Sequence, residues 1–178
     1  MLIKTVFSGF GGQGVIMMGY LLAIGGMQEE KNVTCLPSYG AEVRGGTANC
    51  TVVISTDEIA SPVASEPEFA VLMNNPSLYR FQNQVQSGGT VFLNSSMIEA
   101  RPIRGDLEIF EIPVNDLAKK FPGDKVSNMI MLGAFIKKSG LVSLDTMLHV
   151  LKDVFGNRSP GVLKSNKSAL QLGYDYLQ

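Results

Sequence analysis

Histidine occurs once, cysteine twice and tryptophan not at all in this 178-residue chain, and those scarcities exclude several chemistries. With His149 alone, inside the apolar run 147–151 and without an acidic neighbour to orient it, neither a histidine-based triad nor a histidine metal site can be assembled. His149 is expected at a helix surface or boundary. Cys35 and Cys50 form no C-x-x-C motif, so neither an iron–sulfur cluster nor a four-cysteine zinc site can be built from this chain alone. The N-terminus lacks a signal-peptide cleavage pattern. The expectation is therefore two reduced, structural thiols in a cytoplasmic protein. Charge is also scarce, at 17% of residues with a net value of -1, and nothing in that balance favours nucleic acid or an anionic membrane as partner. Residues 5–28 carry no charge at all, but seven glycines interrupt them. The continuous apolar stretch is only about thirteen residues, short of the roughly 20 that a membrane span needs.

What the chain does have is 45% hydrophobic residues and a length suited to one core-forming domain, residues 1–178. Residues 2–8 read as a buried strand running into the glycine-rich turn 9–14. The apolar helix 15–27 follows, weakened in its last turn by Gly25 and Gly26, and then a short strand 33–36 that ends at Pro37. After the aperiodic loop 38–47, residues 48–55 alternate as a strand, with Cys50, Val52 and Ile54 on one face and Thr51 and Val53 on the other. Residues 57–67 are acidic and proline-punctuated, hence surface. Strand 69–73 precedes Asn75-Pro76, an N-cap with proline at the first helical position, and a helix to about Gln86. Strands 90–94 and 107–112 follow. Helices are then expected over 114–120, over 128–138 (capped by Asn128, closed by Gly140), after Ser143 as far as Gly156, and over 165–177. Strands alternating with helices predict an α/β, Rossmann-like three-layer sandwich with a mainly parallel sheet. Residues 33–55 leave no room for a helix and imply one irregular or antiparallel connection there.

Two stretches carry candidate chemistry. In the first, Gly9, Gly11 and Gly14 fit the spacing G-x-G-x-x-G, with Gly12 and Gln13 between them. Such a turn allows close backbone approach and opens a helix whose free N–H groups can face an anion. A dinucleotide would also need a carboxylate at the end of the second strand to hold the ribose. That strand ends Cys35-Leu36-Pro37-Ser38, without one. No Lys-Ser or Lys-Thr follows the glycines, so a Walker A loop is excluded too. Gln13 could contact a ligand or cap the turn. The second stretch holds Ser38, Tyr39, Gly40, Glu42, Arg44, Gly45 and Gly46. Arg44 could grip a phosphate or carboxylate in a bidentate manner, and the two glycines would let the backbone fold around an anion. The bland alternative is a surface turn with a local ion pair. If the first two strands are neighbours, both loops border one crevice at their carboxyl ends, where ligands of open α/β sheets bind. No acid–base, metal or electron-transfer set is self-sufficient in this chain, which points to a subunit.

Taken together, Gly9-Phe10-Gly11-Gly12-Gln13-Gly14, the run Pro37 to Cys50 and Asn128-Met129-Ile130-Met131-Leu132-Gly133 resemble, in order and over almost the whole chain, the gamma subunit of 2-oxoacid:ferredoxin oxidoreductases. The ending Thr47-Ala48-Asn49-Cys50 looks more like the 2-oxoglutarate branch than the pyruvate branch. The resemblance implies participation in oxidative decarboxylation, in which a 2-oxoacid and coenzyme A give an acyl-CoA (succinyl-CoA from 2-oxoglutarate), carbon dioxide and reduced ferredoxin. It implies thiamine diphosphate with Mg2+ held by alpha and beta subunits, and iron–sulfur clusters on beta or on a ferredoxin-like delta subunit. This chain would be inactive alone and would meet its partners, or coenzyme A, through the two loops, with no single residue named as catalytic. A homodimer of the isolated chain, formed through interfaces meant for absent subunits, is also open. The competing expectation is a free-standing Rossmann-like nucleotide-binding module.

Overall fold

In the computed structural model, residues 1–40, 46–63, 65–121, 123, 125–157 and 159–177 are described. Strands β1 (Leu2–Phe10), β2 (Asn32–Tyr39), β3 (Thr47–Ser55), β4 (Phe69–Leu72), β5 (Thr90–Asn94) and β6 (Glu108–Ile112) form one sheet in the order β2-β3-β1-β4-β5-β6. β4 is parallel to β1, β5 to β4 and β6 to β5, while β3 runs antiparallel to both β1 and β2. The predicted mainly parallel sheet and the antiparallel connection in residues 33–55 are both present. One inference needs correction: β1 and β2 are not neighbours, because β3 lies between them.

Side-chain alternation separates two cores. Phe7, Cys50, Val52, Ile54, Val71 and Phe92 face a layer made by α1 (Val15–Gln28), α4 (Ser127–Ser139), α5 (Leu144–Phe155) and α6 (Pro160–Tyr176). Val6, Ala70, Leu72, Val91 and Leu93 face the other way, under α2 (Asn75–Phe81) and the segments after it. A short α3 (Val114–Ala118) links β6 to α4. At the centre of the helical layer, the Phe135 ring lies 5.4 Å from Phe7, 5.6 Å from Phe69 and 5.4 Å from Phe92, each edge-on. α4 and α6 touch backbone to backbone at Gly133 and Gly173, where any Cβ would collide with carbonyls of the facing helix.

Several boundaries differ from expectation for identifiable reasons. β2 continues through Pro37 to Tyr39 because it is an edge strand, where a missing N–H costs no ladder bond. Ser38 and Tyr39, expected in a loop, are therefore strand residues. α2 stops at Phe81, well short of Gln86, and Arg104 binds the carbonyls of Gln82, Val85 and Gln86 just beyond it. Its cap is Asn74, not Asn75: the Asn74 side chain accepts from the Ser77 N–H at 2.9 Å. Ser143 does cap α5, accepting from the Thr146 N–H at 3.1 Å, and Gly140 closes α4 with φ 61°. Asn128 caps nothing; it lies inside the first turn of α4. α6 begins five residues before the expected Ser165, at Pro160.

Candidate functional site

β1 and β4 are adjacent and parallel, yet the chain leaves them for opposite faces, β1 through α1 and β4 through α2. The carboxyl ends of such a pair mark the switch point at which open α/β sheets bind ligands. A cleft of about 580 Å³ opens there. Gly12, Gln13, Gly14 and Met17 form one wall, and Lys125, Val126, Ser127 and Asn128 the facing one. Met73, Asn115, Phe155, Val162 and Asn166 close it.

Gly14, with φ 75°, is the N-cap residue of α1 and cannot offer a side chain to the first turn. Its left-handed backbone suits glycine, and a Cβ there would collide with the Asn128 side chain. Close approach thus brings the beginnings of α1 and α4 together. Neither helix has a side-chain cap, so the partial positive charge of two helix N-termini converges on one space. Lys125 is exposed on the rim and has no ion-pair partner among the described residues. None of the described lining residues is acidic. Amide side chains complete the surface: Asn115 Oδ1 accepts from Asn94 Nδ2 at 2.8 Å, and Asn166 Nδ2 donates to the Val162 carbonyl at 2.7 Å. The arrangement favours an anion with an apolar extension toward Met17, Phe155 and Val162.

The predicted site residues divide around this cleft. Gly12, Gln13 and Gly14 line it. Gly9 packs inside instead, where a Cβ would press on Gln13 Oε1, Met73 and Val15 at 2.6–2.9 Å. The Gln13 side chain is engaged by the protein: Oε1 accepts from the Phe10 N–H at 2.6 Å and from Asn74 Nδ2 at 3.2 Å, while Nε2 donates to the Met73 carbonyl at 3.2 Å. Gly11 and Gly46 join the two candidate stretches, the Gly11 N–H donating to the Gly46 carbonyl at 2.9 Å. So the stretches do meet, through the return strand β3 rather than through adjacency of β1 and β2. Ser38, Tyr39 and Gly40 are exposed at the end of β2 and do not line the cleft. Glu42, Arg44 and Gly45 lie outside the described residues.

With β3 interposed, an acid at the end of β2 would sit two strand spacings from β1, roughly 9–10 Å, so the described residues supply neither the carboxylate nor the position that a dinucleotide needs. Among the described residues no three His, Cys, Asp or Glu side chains gather around a possible metal position. His149 is exposed, its Nδ1 2.8 Å from the Asp145 carbonyl. Lys125, in a short connection, and Asn115 and Asn166, within α3 and α6, were not legible in the sequence because isolated polar residues carry no motif. The one available cue was the polar stretch ahead of the apolar helix α4.

Residues 4–176 match the family described as pyruvate ferredoxin/flavodoxin oxidoreductase. The chain is 32% identical over 176 residues to the ketoisovalerate oxidoreductase subunit VorA of Methanothermobacter thermautotrophicus, covering 98% of this chain but only 36% of that protein. It is 30% identical over 177 residues to the 2-oxoglutarate synthase subunit KorC of Methanothermobacter marburgensis, covering 96% of this chain and 94% of that one. In fold it is similar to 2-oxoglutarate:ferredoxin oxidoreductase from Magnetococcus marinus, a structure with 2-oxoglutarate, coenzyme A and succinyl-CoA bound. The TM-score is 0.91 at 22% identity, over 99% of this chain and 32% of that one. No helix among the described residues is long and apolar enough to cross a membrane. The chain belongs to the pyruvate ferredoxin/flavodoxin oxidoreductase family.

Proposed function

We propose that this chain works as the gamma subunit of a cytoplasmic 2-oxoacid:ferredoxin oxidoreductase that uses 2-oxoglutarate, and that its cleft receives the phosphate-bearing end of coenzyme A. The observation that carries this reading is the convergence of two helix N-termini without side-chain caps, and of Lys125, on a cleft whose described lining residues include no acid. Phosphates are stabilised by such a field, and the apolar side chains beyond it suit the rest of the cofactor. The fold shared with the coenzyme A-bound Magnetococcus marinus enzyme supports the same ligand. Thiamine diphosphate, Mg2+ and iron–sulfur clusters would be held by alpha, beta and any delta subunits, with ferredoxin as electron acceptor. This chain's contribution is to bind and orient coenzyme A beside them. The glycine turn and the exposed end of β2 at Ser38, Tyr39 and Gly40 are the surfaces we assign to those partners.

Support for 2-oxoglutarate is the KorC relationship and the run Thr47-Ala48-Asn49-Cys50. In β3 the last three of these are buried, so they mark the branch without touching substrate. The test is affinity capture of the native complex followed by 2-oxoacid-dependent dye reduction with and without coenzyme A. Preference for 2-oxoglutarate by the complex, and none by the isolated chain, is expected. Decarboxylation by the isolated chain alone would sink the subunit reading. Micromolar binding of NAD or FAD, without coenzyme A binding, would favour a free-standing nucleotide module instead.

A further inference from the structure

Two thiols lie outside the cleft and have no part in that function. Cys35 pairs with Val52 across the β2–β3 ladder and Cys50 with Pro37, so the two cysteines stand diagonally on one face. Their Sγ atoms are 3.4 Å apart and both are free. They differ sharply in access. Cys35 is exposed on the sheet edge, whereas Cys50 is fully buried beneath α1, which passes so close that a Cβ at Gly19 would strike the Cys50 sulfur. We propose that Cys35 and Cys50 form a reversible dithiol–disulfide site whose oxidant is a hydroperoxide, with Cys35 as the attacking thiolate and Cys50 as the resolving thiol.

An accessible thiolate with a resolving cysteine directly behind it is the layout of redox-responsive sites. The hydrogen bond from the Cys50 thiol outweighs burial and lowers Cys35 to about 7, while the same bond and its burial push Cys50 far upward. The negative charge of the Cys35 thiolate adds to the rise at Cys50. Near neutral pH, therefore, about half of Cys35 is thiolate and Cys50 keeps its proton. The Cys35 thiolate attacks the O–O bond. That bond breaks, Cys35 becomes a sulfenic acid, and the leaving alkoxide or hydroxide takes a proton to give alcohol or water. The Cys50 sulfur then attacks the sulfenic sulfur, its thiol proton leaves with the hydroxyl as water, and the S–S bond forms. The two thiols have lost two electrons together and the peroxide has gained them.

Geometry also makes the bond reversible. Diagonal positions on paired strands have Cα atoms about 7–8 Å apart, just beyond the roughly 4.4–6.8 Å that a relaxed disulfide spans. Closure must draw β2 toward β3, and β2 can yield because, among the described residues, β3 is the only strand paired with it. A disulfide closed under strain is readily reduced by thiols.

The test uses the full chain, reduced and then given one equivalent of hydrogen peroxide, with thiol counting and non-reducing peptide mass mapping. The expected result is loss of both thiols, one intramolecular link between the Cys35 and Cys50 peptides, and full recovery with dithiothreitol. Cys50→Ser should accumulate a sulfenic acid at Cys35 that a 1,3-diketone traps. In Cys50→Ala, which lacks the donor that serine would keep, alkylation by iodoacetamide at pH 7 should slow about fivefold as Cys35 returns toward 9.0. Thiolate loss of about fiftyfold is partly offset there by higher nucleophilicity. Wild-type Cys35 oxidised to sulfinic acid beside an intact Cys50, or linked only between molecules, would overturn the proposal. Equal alkylation of wild type and Cys50→Ala would do the same. Should Cys50→Ser fail to fold, the wild-type mapping decides alone. Every readout is a thiol, so the outcome is independent of 2-oxoacid turnover and of coenzyme A binding.

Discussion

Replacing Gln13 with alanine should loosen the glycine turn without removing any direct ligand contact. The side chain ties the turn to the end of β4 through Phe10, Asn74 and Met73, and its fourth contact, Nε2 to Met97 Sδ at 3.3 Å, is exposed. A net intramolecular hydrogen bond stabilises by about 1 kcal/mol, and an abandoned buried partner costs about 1–3 kcal/mol. Asn74 is buried and would lose its acceptor, whereas the Met73 carbonyl keeps Asn94 Nδ2 at 3.4 Å. Counting one strong bond to Phe10 N–H, one weaker bond to Met73 and one stranded amide gives about 2–3 kcal/mol. With a denaturant slope of roughly 2 kcal/mol per molar urea, the unfolding midpoint should fall by about 1–1.5 M. Gln13→Glu should be no better, since it turns a carboxylate oxygen toward the Met73 carbonyl. Equilibrium urea unfolding followed by far-UV circular dichroism measures the shift. A midpoint within about 0.2 M of wild type, together with loss of coenzyme A binding at full stability, would refute the structural role and make Gln13 a ligand residue.

Lys125→Ala should weaken coenzyme A binding about tenfold, near 1.4 kcal/mol for one charge-assisted contact, and added salt should shrink the difference; calorimetry of the assembled complex reads both. Phe135→Ala, which removes the ring meeting three other phenylalanines, should cost about 3–5 kcal/mol, again measured in urea. Glu29 gives a pH signature. Burial opposes its charge, but hydrogen bonds from Lys31, the Ser143 N–H, and the Thr146 and Ser143 side chains outweigh that and hold it at about 2, against an ordinary value of 4.5. Its folded-state value is depressed, so its stabilisation is complete above pH 4.5 and fades as pH falls toward 2. Glu29→Gln should remove about 1–2 kcal/mol at pH 7, allowing for solvent screening, and should flatten the stability profile between pH 4.5 and 2.

The strands and the long helices were legible because period-two and period-3.6 patterns are imposed by the faces they bury. Ser143, Gly140 and the cluster 9–14 were legible because capping and left-handed turns demand particular residues. The termination of α2 was not, since Arg104 reaches the carbonyls beyond it from 18, 19 and 22 positions away. Nor was the insertion of β3 between β1 and β2, which depends on which exposed ladder each strand finds. The true beginning of α6 was written in Ser159-Pro160 and outranked by the later apolar residues. As for the site, Gly12 and Gly14 could be read from spacing. Asn128 stood in plain view with the wrong role, because only the packing of α4 against Gly14 turns it toward the cleft. Cys35 could not be told from Cys50, since alternation reports a face and not whether a strand is at the edge.

The place of β3 has a consequence for the order in which the chain acquires structure. β1 is made first, yet it is central, and both of its neighbours, β3 at residues 47–55 and β4 at residues 69–72, are made later. The half-sheet β2-β3-β1 with α1 against it uses only residues 2–55, so it is contiguous and can pair as a cooperative unit before the parallel half exists. The parallel pairs β1–β4, β4–β5 and β5–β6 then add in chain order onto a preformed edge. Native-state hydrogen exchange should divide along the same line, with the amides linking β1 to β3 protected as one block and those of β6 opening independently.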